Sequence, residues 1–271
     1  MLEYNFLYPI REKLRNATRE WFPSDTKERY EEYIKNPKYK DLIPTEYFNY
    51  EFNNYGFRCD NFTDYTKHKY RILFLGCSHT EGIGLPVEEI WAYKLLQKIN
   101  DELGENIPYW TIAMGGTGLD AQTRALYQLN DMLRPNIIIA LFPEASRREI
   151  YSGCNYLKYL TEPFKLKKYD DVFFDDRLIL YQLGKNLSFL KLIADKYGTK
   201  IIGNSTGSCG ETYYKEYINQ FDFYIYKTDF YTNTVDRARD MMHPGKKSNT
   251  QFALKLYDEI FPTVKQILHN Q

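Results

Sequence analysis

Arg71-Ile-Leu-Phe-Leu-Gly-Cys-Ser-His-Thr-Glu-Gly82 begins as a short apolar, partly branched run, stops at Gly76 and passes at once into a polar turn. An apolar run of this length without alternation reads as a strand buried on both faces, the habit of parallel sheets. The neighbouring sequence keeps the same grammar. Glu88 to Ile99 carries Ile90, Trp91, Leu95, Leu96 and Ile99 at helical spacing. Pro108 to Ala113 is a second strand and Asp120 to Leu133 a second helix. Asn136 to Phe142, with its core Ile137-Ile-Ile-Ala-Leu141, is a third strand. Strand and helix in alternation predict an α/β protein, a flavodoxin-like three-layer sandwich around a parallel sheet.

Further along, Asp176 to Tyr197 is a helical pattern, and Lys200 to Gly203 and Phe223 to Tyr226 are short strands. Ser248 to Ile260 is a closing helix, with Phe252, Leu254, Leu256 and Ile260 among its apolar positions. Pro143 to Asp171 is long for a connection in a compact domain, and such segments are often functional. Residues 1–68 are charged and Tyr-rich, with no sustained period, which predicts a short helix and irregular wrapping structure. The chain therefore divides into an N-terminal extension, 1–68, and an α/β domain, 69–271, with an insertion at about 143–171.

The 36 Lys and Arg balance 36 Asp and Glu among 271 residues, so no long-range field favours nucleic acid or an anionic membrane. No apolar run approaches the roughly 18 residues of a membrane span, and Met1 to Glu20 lacks the apolar core of a secretory signal. A soluble, cytoplasmic protein is expected. The four cysteines and four histidines show no ligand or redox spacing, so neither a metal nor a cofactor is expected. The 26 Tyr and 17 Phe read first as partly buried packing; the alternative is a sugar-facing or protein-facing surface. Oligomeric state is not legible.

Two short blocks carry chemistry. Gly76-Cys-Ser-His-Thr-Glu-Gly82 follows the first strand directly, and ligands of parallel sheets bind beyond the carboxyl ends of strands. It lacks G-x-x-x-x-G-K-[ST], G-x-G-x-x-G and G-x-S-x-G, which argues against a nucleotide-binding loop and against the nucleophile elbow. By itself a serine there is more often a turn or cap residue than a nucleophile. The second block is Asp240-Met-Met-His-Pro-Gly245, with carboxylate and imidazole three residues apart and able to share one turn. A serine hydroxyl needs a base, and that base needs a carboxylate to fix its tautomer. Asp240 and His243 meet those needs; a surface Asp and a helix-capping His is the plainer reading.

Together the two blocks resemble the SGNH/GDSL hydrolase superfamily. The resemblance extends through Asn54-Tyr-Gly-Phe-Arg58, Gly82-Ile-Gly-Leu-Pro86 and Ala113-Met-Gly-Gly-Thr-Gly118, and covers about residues 54–262. It implies an ester hydrolase in which Ser78 is the nucleophile, His243 the general base and then acid, and Asp240 its orienting carboxylate. It also implies an oxyanion hole formed by the backbone N–H groups of Ser78 and Gly116, with Gly115 as the one-register alternative. Similar Gly-Cys-Ser blocks occur among phage-encoded and bacterial members, so the resemblance extends to a virus-encoded origin.

This chain departs from that pattern twice. Cys77 stands where the family name has Asp, and reads as buried packing, with a reactive thiol as the alternative. Glu144 falls at the position of the family's oxyanion-hole Asn, and an ionised carboxylate accepts but does not donate. Ser146, Arg147 and Arg148 are substitutes for that donor. Arg147 and Arg148 also read as partners of Glu144 or Glu149, or as binders of an anionic substrate group. His79, beside Ser78, is an alternative base, although adjacent side chains on a turn diverge. The leading reading is hydrolysis of a small-molecule or glycan ester, with a carbohydrate O-acetyl group as the substrate of choice. The competing reading is an SGNH-like binding or structural module whose site has drifted.

Overall fold

The computed structural model describes residues 9–37, 39, 47–152, 155–157, 176–205, 214, 224–230 and 234–270. Five strands form one sheet: β1 (Ile72–Gly76), β2 (Trp110–Ala113), β3 (Ile137–Phe142), β4 (Lys200–Ser205) and β5 (Tyr224–Ile225). Every pairing is parallel and the spatial order is β2-β1-β3-β4-β5. That is the doubly wound, flavodoxin-like order expected from the sequence.

The central strands β1 and β3 are apolar throughout because both faces are covered, and their two-residue period sorts side chains into two cores. Ile72, Phe74, Ile137, Ile139 and Leu141 point to one face, where they meet α1 (Trp91–Leu103) and α4 (Lys246–His269). Leu73, Leu75, Ile138, Ala140 and Phe142 point to the other, against α2 (Leu119–Leu133) and α3 (Asp176–Asp195). Three layers result. Phe57 and Phe62, ahead of β1, belong to the second of these cores.

The closing helix differs from expectation. It starts at Lys246 and runs to His269, past Pro262. Proline removes one helical hydrogen bond and usually ends a helix. Here Phe252, Leu256, Ile260, Val264 and Leu268 form one buried stripe at i, i+4 spacing, and the last two supply the burial that carries the helix onward. Leu254, counted with the apolar face in the sequence, lies on the solvent side, 46 % exposed. The helix expected from Glu88 starts at Trp91, after a 3-10 turn at Val87–Glu89.

Within 143–171 the structure describes a short antiparallel hairpin, Ile150–Ser152 with Asn155–Leu157; most of the rest of that insertion lies outside the described residues. The N-terminal segment contains a helix, Lys27–Lys35, capped by the Thr26 side chain, and a two-stranded pairing of Thr18–Arg19 with Tyr50–Glu51. No helix among the described residues is long and apolar enough to cross a membrane.

Candidate active site

In a sheet of this order the chain leaves β1 to one side for β2 and returns on the other side for β3, opening a crevice at the carboxyl ends of β1 and β3. Ser78 is two residues beyond β1, in the first position of a single helical turn, Ser78–Glu81. The chain can turn this sharply because Gly82 closes the turn in the left-handed region, with φ 73°. Gly76 lets the Thr80 side chain close over the end of the strand, where a Cβ would lie 2.0 Å from the Thr80 hydroxyl.

His243 and Asp240 arrive from the loop before α4. His243 Nε2 lies 2.8 Å from Ser78 Oγ, and His243 Nδ1 lies 2.6 Å from Asp240 Oδ2. Asp240 is ionised, so Nδ1 carries the proton and Nε2 accepts from the serine hydroxyl. Complete burial of Asp240 opposes its charge. The hydrogen bond and charge of His243, then the backbone N–H groups of His243 and Met242, outweigh that cost and hold the carboxyl below its ordinary range. These three residues, singled out in two blocks 162 positions apart in sequence, form one hydrogen-bonded chain.

The 238–240 loop reaches Ser78 by resting on Gly84. Arg239 N–H donates to Gly84 O at 3.0 Å, and a Cβ on Gly84 would sit 2.8 Å from Ala238 Cβ and 3.1 Å from Asp240 N. Gly84 also has φ +81°, so both space and backbone conformation require glycine there. This gives a physical reason for the Gly82-Ile-Gly-Leu-Pro86 stretch.

Gly115 and Gly116 follow β2. The Gly115 N–H donates to Glu81 Oε2 at 2.5 Å, which removes it as a donor to substrate. Gly116 adopts φ 73°, and no hydrogen bond among the described residues engages its N–H. A Cβ on Gly115 would lie 3.5 Å from Ser78 Cβ, so the glycine loop runs alongside the serine.

His79, the residue after Ser78, is buried. Its ring packs 5.1 Å from the His243 ring and 4.9 Å from Phe230. Burial, then the charges of His243 and Arg147, push its pKa well below the ordinary histidine value, so it stays neutral. Cys77 is buried, 2 % exposed. Glu144 and Arg147 follow β3 and are half-buried; both act electrostatically on the buried hydroxyl of Tyr214. The Glu149 carboxylate is held by both Nε and Nη2 of Arg124 from α2, a bidentate partner that the sequence reading did not name. The Nε and Nη1 of Arg147 are buried without a partner among the described residues.

Sequence reasoning missed the contribution of the N-terminal segment. Ser24 Oγ donates to Asp240 Oδ2 at 2.9 Å. Asp25, fully buried, holds the Arg239 guanidinium through both carboxylate oxygens, and Arg239 is itself 1 % exposed. Tyr50 OH bridges the two sides, donating to Asp25 at 2.5 Å and accepting the Gly84 N–H at 2.8 Å. Arg58 donates to the carbonyls of Glu81, Gly82 and Leu85. Separations of 214 and 216 residues carry no pattern by which these pairs are readable in the sequence.

No protein-family model matches the chain, and no curated protein matches its sequence. Among solved structures it is similar to TesA, at 15 % identity and a TM-score of 0.49, over 73 % of this chain and 99 % of that one. It is also similar to the psychrotrophic esterase EstA from Pseudoalteromonas sp., at 18 % identity and 0.48, over 72 % and 98 %. A family 3 carbohydrate esterase of Clostridium thermocellum is similar at 13 % identity and 0.46, over 73 % and 98 %.

Proposed function

We propose that this chain is a serine hydrolase of the SGNH/GDSL type that cleaves esters through an acyl-enzyme. The observation that carries the reading is the continuous chain Ser78 Oγ, His243 Nε2, His243 Nδ1, Asp240 Oδ2, with links of 2.8 and 2.6 Å, at the carboxyl ends of a parallel sheet.

In this mechanism His243 Nε2 takes the Ser78 proton as Oγ forms a bond to the acyl carbon, and the carbonyl π electrons move onto oxygen. Asp240 stabilises the imidazolium and holds the ring in register. Ser78 N–H and Gly116 N–H receive the oxyanion; each such donor contributes about 10²–10³ in rate. Collapse breaks the bond to the alcohol, which leaves with the proton from His243. Water, deprotonated by His243, then attacks the acyl-enzyme; the bond to Ser78 Oγ breaks, Oγ takes the proton back from His243, and the acid is released. General base catalysis of this kind supplies about 10²–10⁴.

A small acyl group on a carbohydrate is the substrate this reading favours. Among the described residues, His79, Ile83, Leu85, Phe230 and His243 pack closely around Ser78 and leave no tunnel there for a long acyl chain.

The experiment is to expose the folded protein to a fluorophosphonate probe and to p-nitrophenyl acetate, beside Ser78→Ala. Labelling and hydrolysis lost together in the variant are expected. Glu144 at the end of β3 favours a second reading, a binding module with a drifted site. A folded wild type that neither labels nor hydrolyses would replace the first reading with that one.

A further inference from the structure

We propose that Ser24 is a positioning residue for the reaction, and that the N-terminal segment is thereby a working part of the active site. The proposal rests on the serine-hydrolase reading above.

Asp240 has no exposure to solvent, and an ionised carboxylate has about four acceptor sites to fill. Oδ1 takes the N–H groups of Met242 and His243 at 3.0 and 3.1 Å. Oδ2 takes His243 Nδ1–H and, as the fourth donor, the Ser24 hydroxyl at 2.9 Å. The backbone donors come from the carboxylate's own loop and move with it. Among the described residues Ser24 is the donor from outside that loop, so it fixes the carboxylate against the rest of the molecule.

The hydroxyl is itself held in place by a turn. Phe22-Pro23-Ser24-Asp25 is a tight turn, closed by Asp25 N–H to Phe22 O at 3.0 Å, with proline at the position that presets its φ. The residue after Ser24 grips Arg239, the residue before Asp240, while the Arg239 guanidinium lies between the Trp21 and Phe48 rings at 4.2 and 4.0 Å. Two adjacent residues of one segment thus seize two adjacent residues of the other. The ion pair sets the register and the hydroxyl reaches the catalytic carboxylate.

The chemistry follows from sharing one oxygen. Ser24 draws charge from Oδ2, the same atom that attracts the His243 proton. Its removal leaves a buried carboxylate oxygen short of a donor, strengthens its pull on the imidazolium and frees the carboxylate to rotate. The other groups facing His243 do not mask the effect: His79 is held neutral by burial, Arg239 is engaged by Asp25, and Arg29 sits at the rim against Met242.

The test compares wild type with Ser24→Ala, and Ser24→Thr with Ser24→Val, two nearly isosteric side chains that differ in the hydroxyl. With p-nitrophenyl acetate, Ala and Val are expected to lower kcat about 10-fold with KM unchanged, on the scale of one hydrogen bond to a charged group. The acid limb of their pH profile moves to higher pH, and Thr restores both. Proton NMR of the low-field His243 Nδ1–H resonance reads the same bond without turnover. Folded Ala and Val variants with kcat within about two-fold of wild type and an unmoved acid limb and resonance would overturn the proposal. A wild type that takes no fluorophosphonate overturns the hydrolase reading instead, and the resonance still reports on the Ser24 bond.

Discussion

Glu81 Oε2 accepts the Gly115 N–H at 2.5 Å, so a buried carboxylate three residues beyond Ser78 fixes the glycine loop that flanks it. The opposite oxygen faces Arg11 Nη1 at 2.7 Å as an ion pair, and the same nitrogen donates to Gly56 O. Both partners are almost fully buried, at 1 % and 3 % exposure. A buried pair is weak evidence of net stabilisation, but removing one member strands the other. Glu81→Gln keeps an acceptor for Gly115 and leaves Arg11 uncompensated. We expect it to cost about 3–5 kcal/mol in urea unfolding with kcat little changed. Glu81→Ala releases the loop as well and lowers kcat further. A Gln variant as stable as wild type would show that the pair is dispensable.

Asp120, in the first turn of α2, predicts a pH dependence of stability. Burial is the main cause that raises its pKa to about 6; the Glu149 N–H opposes the rise and the Glu149 charge adds to it. Between about 4 and 6 the folded protein keeps a proton that the unfolded chain has lost. Stability from this group is therefore full below about pH 4, falls as pH rises towards 6 and is level above. The upper bound is about 3 kcal/mol, for a carboxyl raised from its ordinary value of about 4 to about 6. Urea unfolding at stepped pH, wild type beside Asp120→Asn, should show the wild type losing stability relative to the variant over that window. Parallel curves would refute it.

Much of this molecule was legible because its sheet is parallel. Strands covered on both faces must be apolar throughout, so Ile72–Gly76 and Ile137–Phe142 stood out without alternation, and the helices between them declared their faces by period. The serine block and the Asp-x-x-His block were legible because local chemistry compresses them into a turn each. Leu254 misled because an apolar residue beside a true stripe is indistinguishable by composition. The helix end misled because Pro262 argues locally for a stop, whereas Val264 and Leu268 are held by tertiary burial. The N-terminal clamp was illegible for a different reason. Ser24, Asp25 and Arg11 meet their partners across long separations, and a polar residue that will be buried in an ion pair looks, in sequence, like one left in solvent.

Glu144 offers a test of how strongly the proposed site should act. It stands two residues past β3, the strand hydrogen-bonded directly to β1, so its loop borders the crevice that holds Ser78. With the Gly115 N–H committed to Glu81, the proposed oxyanion hole keeps Ser78 N–H and Gly116 N–H as its backbone donors. A carboxylate nearby adds repulsion to a developing negative charge, whereas an amide at the same position offers a donor. Glu144→Asn is therefore expected to raise kcat for p-nitrophenyl acetate by about 10-fold or more, given that one oxyanion donor contributes about 10²–10³. KM should change little, because the oxyanion exists only beyond the ground state. Steady-state kinetics on the two proteins checks this. An unchanged kcat would place Glu144 outside the reacting centre and leave two backbone donors as sufficient; a lower kcat would mean that the carboxylate serves the reaction in a way the oxyanion argument does not contain.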